Sequence, residues 1–302
     1  MATRFEIALH GANPVALRAA GEEALDEIER VEAQLSLYRA SSEVALLNRE
    51  AQQRPVRVTP ALFQLLARAL ALARETGGAF DPTIAPLVRA WGFMGGAENG
   101  AVPEPAALVE ARANVGHQHI ELDADKLTVR FTRAGVMLDL GAIGKGHAVD
   151  RAAAVLRAAG VENALIHGGT STSFALGRQP EDAPWKVAII APNQDLSAPP
   201  LAVVELENES LSVSAVWGRS FRVGEKTYGH IMDPRTGAPA EGARLAAVVL
   251  PGATDTDALS TALLTAPELM NALVSQRPRL RALVVSGSDT APQMVTHGMR
   301  PL

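Results

Sequence analysis

The chain has 302 residues, 47% hydrophobic and 20% charged, the composition of a globular protein with ample material for a buried core. A net charge of -5, the lack of any lysine/arginine run and an aromatic content of 4% argue against a nucleic-acid binder. The absence of cysteine excludes disulfides, thiolate metal sites, a cysteine nucleophile and lipid attachment through sulfur.

MATRFEIALHG opens as an alternating strand carrying Phe5, Ile7 and Leu9, with no signal peptide to be read. The expected location of the chain as it stands is the cytoplasm, or the cell envelope if it is a trimmed piece. Asn13-Pro14 predicts a helix start, because proline suits the first helical position. Leu17, Ala24, Ile28, Val31 and Leu35 are its apolar stripe. LSLYRASSEVALLN leads, as a strand end or loop, into a short helix near Ser41 or Ser42. Thr59-Pro60 starts the next helix, which turns Leu62, Leu66, Ala69 and Ala73 inward and ends at Gly77-Gly78. Its apolar run is interrupted by Gln64 and Arg68 and is too short for a bilayer, so no membrane segment is expected. AFDPTIAPLVRAWGFMGG is punctuated by Pro82, Pro86 and glycines; a loop over 98–107 precedes a short helix near 106–113.

HIELDADKLTVRF predicts a hairpin turning at Asp123-Ala124-Asp125. VMLDL reads as a strand, and residues 146–159 as an alanine-rich helix ended by Gly160. ENALIHGG, TSFALG, WKVAII, LAVVELE, SLSVSAV and RLAAVVL read as strands, followed by helices near 256–265 and 267–276 and a closing strand in LRALVVSG. Strands and helices mix without strict alternation and without an internal repeat. The expected fold is α+β, with mainly antiparallel sheets flanked by helices.

Three stretches carry chemistry. In DLGAIGKGHAVD a predicted strand runs into Gly141, Gly144 and Gly146 before a helix, with Lys145 among them. Glycines admit an anion close to backbone N–H groups, and a helix start adds about half a positive charge. The spacing is not that of a Walker A loop, which needs G-x-x-x-x-G-K-[ST]. A tight strand-to-helix turn with Lys145 in solvent explains the stretch equally well. HIMDPRTG places His230, Asp233 and Arg235 around one turn; histidine suits proton transfer near neutral pH, while Asp233 reads as a turn cap. TDALSTALL puts Asp257 and Thr261 on one helical face, where two oxygens can serve a hard cation or simply begin a helix favourably.

Taken in order, LSLYRASSEVALLN, GGAFDPTIAPLVRAWGF, DLGAIGKGHAVDRAAAVL, the pair Gly168-Gly169, YGHIMDPRTGAP and TDALSTAL resemble the FAD:protein FMN transferases, the ApbE-type flavin transferases, over most of residues 1–265. The resemblance implies one flavin transferase domain over 1–302, with a helical subregion at about 59–115 packed on an α/β body. It implies FAD as substrate, magnesium as cofactor, and a target flavoprotein whose serine or threonine hydroxyl receives FMN while AMP leaves. Implied contacts to FAD are Met1, Thr3, Tyr38, Ala79, Phe80, Asp81, Asp139, Lys145, His230 and Ile231. Implied metal ligands are Ala142, through its backbone carbonyl, Asp257 and Thr261. His230 stands where the family has its proposed base, with Asp257 or a metal-bound water as the other groups able to take the proton. With water as nucleophile the same residues would make an FAD pyrophosphatase; without turnover, an FAD-binding protein. The chain departs from the pattern at Ser214 to Gly218, where Thr-Ser-Gly is common, at Thr170, where an acidic or amide residue is frequent, and at Gly144, where alanine is usual.

Overall fold

The computed structural model describes residues 3–94, 100–191, 199–288 and 291–301. In chain order come β1 (Phe5–His10), α1 (Pro14–Leu35), α2 (Glu43–Glu50), β2 (Val56–Arg57), α3 (Pro60–Glu75), α4 (Ala85–Ala90) and α5 (Pro105–Ala113). Next are β3 (Ile120–Asp123), β4 (Thr128–Phe131), α6 (Gly141–Ala158), β5 (Asn163–Gly168), β6 (Thr172–Leu176), β7 (Trp185–Ile189), β8 (Ala202–Leu206) and β9 (Glu209–Ala215). The last are β10 (Ser220–Val223), β11 (Lys226–Gly229), β12 (Leu245–Leu250), α7 (Ala253–Thr265), α8 (Met270–Gln276), β13 (Arg281–Ser288) and β14 (Ala291–His297). They divide into two compact units: Met1–Glu32, Ile143–Ala215 and Ala243–Leu302 form one, Ala33–Ala142 and Val216–Gly242 the other.

The first unit is built on a seven-stranded sheet in the order β1-β5-β6-β9-β12-β13-β14. Every neighbouring pair is antiparallel, so the α+β expectation holds. β1 half-buries Phe5, Ile7 and Leu9 and exposes the residues between them, as its alternation predicts. β12 is buried at all six positions, and its sequence LAAVVL carries no polar residue. α7 packs against β9 and β12 and buries most of its length. α1 begins where Asn13 Oδ1 accepts the amides of Val15 and Ala16 (3.2 and 3.1 Å). Ala24, Ile28 and Val31 of its stripe are buried.

In the second unit, the Thr59 hydroxyl accepts the Leu62 amide at 3.4 Å and starts α3. The four residues read as inward, Leu62, Leu66, Ala69 and Ala73, are all buried. The helix stops at Gly77 and Gly78, both at positive φ, and Gly78 N–H returns to the carbonyl of Ala73 at 2.8 Å. β2, β4 and β3 form a small antiparallel sheet, and β10 pairs with β11. The β3–β4 hairpin joins Asp123 to Thr128, so its loop is residues 124–127, longer than the predicted turn, with Leu127 left-handed.

Two expectations are corrected. VMLDL is not a strand: Val136, Leu138 and Leu140 are buried in strand-like alternation, but the Asn48 side chain bonds both backbone groups of Leu138 (2.7 and 3.0 Å). Pro82 O takes the Asp139 amide at 2.8 Å, so the backbone groups of Leu138 and the amide of Asp139 are bonded outside any ladder. The glycine-rich stretch is not a loop either, because α6 already begins at Gly141. Among the described residues no helix is long and apolar enough to cross a membrane.

Candidate active site

In the first unit α6 and α7 hold each other through two carboxylates. Asp150 of α6 accepts the Ala253 amide at 2.8 Å, and the Thr254 amide and hydroxyl at 2.8 and 2.6 Å, satisfying the first donors of α7. Burial pushes the Asp150 carboxyl above the usual range, against the pull of those bonds. In the reverse direction Asp257 of α7 accepts the Gly146 amide of α6 at 3.0 Å through Oδ2. Lys145 Nζ lies 3.1 Å from Asp257 Oδ1 and 3.5 Å from Oδ2. The Asp257 side chain is 3% exposed and that of Lys145 23%, so a buried carboxylate faces a lysine that still reaches water.

Gly146 is a glycine because of this approach. A Cβ there would lie 2.0 Å from Ala253 O and 2.9 Å from Asp257 Cβ, positions that no side-chain rotation can relieve. The expected result for Gly146→Ala is a loss of about 2–3 kcal/mol, as in overpacked cores. Urea unfolding measures it, and wild-type stability in the variant would show that the two helices can part here without cost.

A ladder of hydroxyls joins β9 to α7. Ser212 Oγ lies 2.8 Å from Thr256 Oγ1, Ser210 Oγ 3.1 Å from the same atom, and Ser212 also bonds Thr172 at 3.2 Å. One step along, Ser214 Oγ lies 2.8 Å from Ser260 Oγ and 3.1 Å from Thr261 Oγ1. Ser260 and Thr261 both donate to the carbonyl of Asp257 (3.0 and 3.2 Å). With those two protons committed, the single Ser214 proton is shared between Ser260 and Thr261, and Thr261 keeps acceptor capacity on its oxygen. The donor set fits magnesium: one buried carboxylate beside a hydroxyl one turn on suffices for an ion that takes its remaining oxygens from phosphates and water. No group of three or more His, Asp or Glu side chains suited to caging a metal occurs among the described residues.

Also in this unit, Gly169 has φ +65 and donates its amide to the carbonyl of Arg4 (2.9 Å), while a Cβ would fall 2.2 Å from the hydroxyl of Thr3. The glycine pair thus seats Thr3, itself exposed. Met1 lies outside the described residues.

The second unit contains the other predicted positions. His230 Nδ1 lies 3.0 Å from the carbonyl of Arg219, which also accepts the His230 amide at 3.1 Å. A carbonyl only accepts, so Nδ1 carries the proton and the lone pair of the neutral ring is on Nε2. Arg219 is anchored by donating to the carbonyl of Phe93 at 3.0 Å, and the Phe93 ring meets His230 edge-on at 6.4 Å. Behind them Phe221 stacks on Tyr228 at 5.3 Å, and Trp91, 5.4 Å from Tyr228, donates to the carbonyl of Gly237 at 2.8 Å. Ile231 accepts the Ala240 amide at 2.8 Å through its carbonyl. Asp233 closes its turn by bonding the Arg235 amide and guanidinium, as the capping interpretation expects.

Asp81 is buried and its carboxylate is heavily engaged. Oδ1 accepts the Thr83 amide and hydroxyl (2.9 and 2.6 Å); Oδ2 accepts the His117 amide at 2.8 Å and faces His117 Nδ1 at 3.1 Å. Its side chain therefore shapes the segment, with Ala79 and Phe80 buried beside it in sequence. Asp139 Oδ1 accepts the Gly141 amide at 2.8 Å, bracing the first turn of α6 that contains Ala142. Tyr38 is 63% exposed. Sequence reasoning missed Asp150 and Ser214; the alternating serines of SLSVS opposite TDALST were the available signal.

Residues 1–284 match the model of the ApbE family. The FAD:protein FMN transferase of Treponema pallidum is 34% identical over 299 residues, covering 94% of this chain and 82% of that protein. That of Haemophilus influenzae is 30% identical over 281 residues, covering 90% and 81%. Among solved structures, the ApbE protein of Thermotoga maritima superposes with a TM-score of 0.86 at 28% identity, over 98% of this chain and 94% of that one. The flavin transferase ApbE from Vibrio cholerae gives 0.84 at 26% identity, over 99% and 94%.

Proposed function

The chain belongs to the ApbE family, and on that premise we propose that it is an FAD:protein FMN transferase. It cleaves the pyrophosphate of FAD in the presence of magnesium and joins the FMN phosphate to a serine or threonine hydroxyl of a target flavoprotein. The attacking oxygen forms a bond to the FMN phosphorus, the phosphorus–oxygen bond to AMP breaks, and the hydroxyl proton passes to a base. The observation that carries this reading is the buried Asp257 carboxylate, held by Lys145 and the Gly146 amide one turn from the Thr261 hydroxyl.

Phosphoryl transfer needs charge neutralised on the phosphate oxygens and an aligned nucleophile. Magnesium supplies that neutralisation when bound, with Asp257, Thr261 and the Ala142 carbonyl as its protein oxygens. Lys145 supplies a further positive charge to the diphosphate. Asp139 fixes the start of α6 through the Gly141 amide. Asp81 fixes the segment carrying Ala79 and Phe80, the proposed flavin neighbours with Tyr38, Ile231, Thr3 and Met1. His230, with Nδ1 tied to Arg219, offers Nε2 to the incoming hydroxyl proton.

Incubation with FAD, magnesium and a candidate flavoprotein, followed by intact-mass measurement of the target, tests the proposal. The expected result is a mass increase of one FMN with one AMP released per target. Free FMN beside unmodified target would make the protein a pyrophosphatase, and bound FAD without AMP would make it a binding protein.

A further inference from the structure

Lys145 and a divalent cation lay claim to the same carboxylate. We propose that Lys145 is the resident counter-ion of Asp257, is displaced by the metal, and thereby couples metal binding to binding of the dinucleotide's diphosphate. The inference rests on Asp257 being an ion ligand, as proposed above.

Asp257 cannot turn away from this competition. Its carboxylate is 3% exposed, and Oδ2 is fixed by the Gly146 amide at 3.0 Å from a helix packed against its own. A buried carboxylate is unfavourable without several hydrogen-bond donors or a compensating charge, and with one backbone amide on Asp257 the balance falls to a cation. Without metal that cation is the Lys145 ammonium, which straddles the two oxygens at 3.1 and 3.5 Å. A magnesium-sized ion binds carboxylate oxygen at about 2.0–2.1 Å, which would set two positive centres a few ångströms apart on one carboxylate. The lysine is the partner able to leave, since its side chain is 23% exposed and carries its charge on a flexible four-carbon stem.

A diphosphate anion is the natural acceptor for the displaced ammonium. Dinucleotide binding therefore favours the lysine-out state, which is also the state ready for metal, and by linkage each ligand tightens the other by the same factor. The Gly146 amide keeps the carboxylate aimed in both states. Metal alone meets a site already neutralised; metal with dinucleotide meets one just vacated.

The test is Mn2+ binding, read from the loss of the free-ion paramagnetic resonance signal, with no nucleotide present. Lys145→Met is expected to bind Mn2+ about tenfold or more tighter than the unaltered protein, within the usual range of site-to-site coupling. Lys145→Gln, whose amide can still donate to Asp257, guards against misfolding and is expected to shift the same way. In EDTA, Asp257→Asn removes the negative charge that draws the lysine to this carboxylate, and FAD, followed by flavin fluorescence, is expected to bind more tightly. Unchanged or weaker Mn2+ binding in both lysine variants, with Asp257→Asn still abolishing it, overturns the inference alone. Mn2+ binding indifferent to Asp257→Asn overturns the ligand assignment beneath it.

Discussion

Asp257→Asn is expected to lower FMN transfer on the order of 10³-fold, the scale of losing a principal electrostatic group at a reacting centre. Asparagine preserves shape and can still accept the Gly146 amide, so the α6–α7 contact survives while the negative charge does not. The loss is expected to persist at saturating FAD and to be relieved only in part by raising magnesium. Asp257→Ala is the less informative variant. From the sequence alone it reads as a change that spares the fold, because the residue serves a cation rather than the core. The side chain instead lies buried between two helices, where it bonds the Gly146 amide and the Lys145 ammonium. Losing buried hydrogen bonds of this kind, one of them to a charged group, costs about 1–3 kcal/mol. Coupled AMP release and a thermal melt on both variants separate chemistry from stability. Turnover by Asp257→Asn within tenfold of the unaltered protein would remove the residue from the reaction.

His230→Ala is expected to slow transfer by about 10²–10³-fold, the range of a positioned general base. FAD affinity should change less than the rate does, because the main part proposed for the ring is to take a proton. His230→Gln is the sharper variant: its amide can still donate to the carbonyl of Arg219 in place of Nδ1, restoring the contact without restoring the proton acceptor. Activity recovered in His230→Gln would mean that the ring only props the loop.

Local signals were legible in the sequence and long-range ones were not. Asn13-Pro14, Thr59-Pro60 and Gly77-Gly78 mark helix ends because their caps are made within a few residues. The alternation of Phe5, Ile7 and Leu9 is likewise a property of one strand. VMLDL has the same alternation, but its hydrogen-bond partners come from Asn48 and Pro82, and no local pattern names them. Three glycines within six residues read as a loop because glycine is a poor helix former; burial of Gly144 and Gly146 against neighbouring structure overrides that preference. The short strands β10 and β11, mostly exposed, lacked an apolar rhythm strong enough to register. In the candidate site, Asp257 and Thr261 were visible as neighbours on one helix, whereas the Lys145–Asp257 pair spans 112 positions.

The mutual clasp of the two helices has a consequence for biosynthesis. Asp150 and the two amides that donate to it are separated by 103 and 104 positions, and most of the central strands lie between them. A polypeptide emerging from the ribosome amino-terminus first therefore displays Lys145 and Asp150 well before either has anything to hold. Closing so long a span is entropically late, so competence for catalysis arrives with the final stages of folding rather than with the first half of translation.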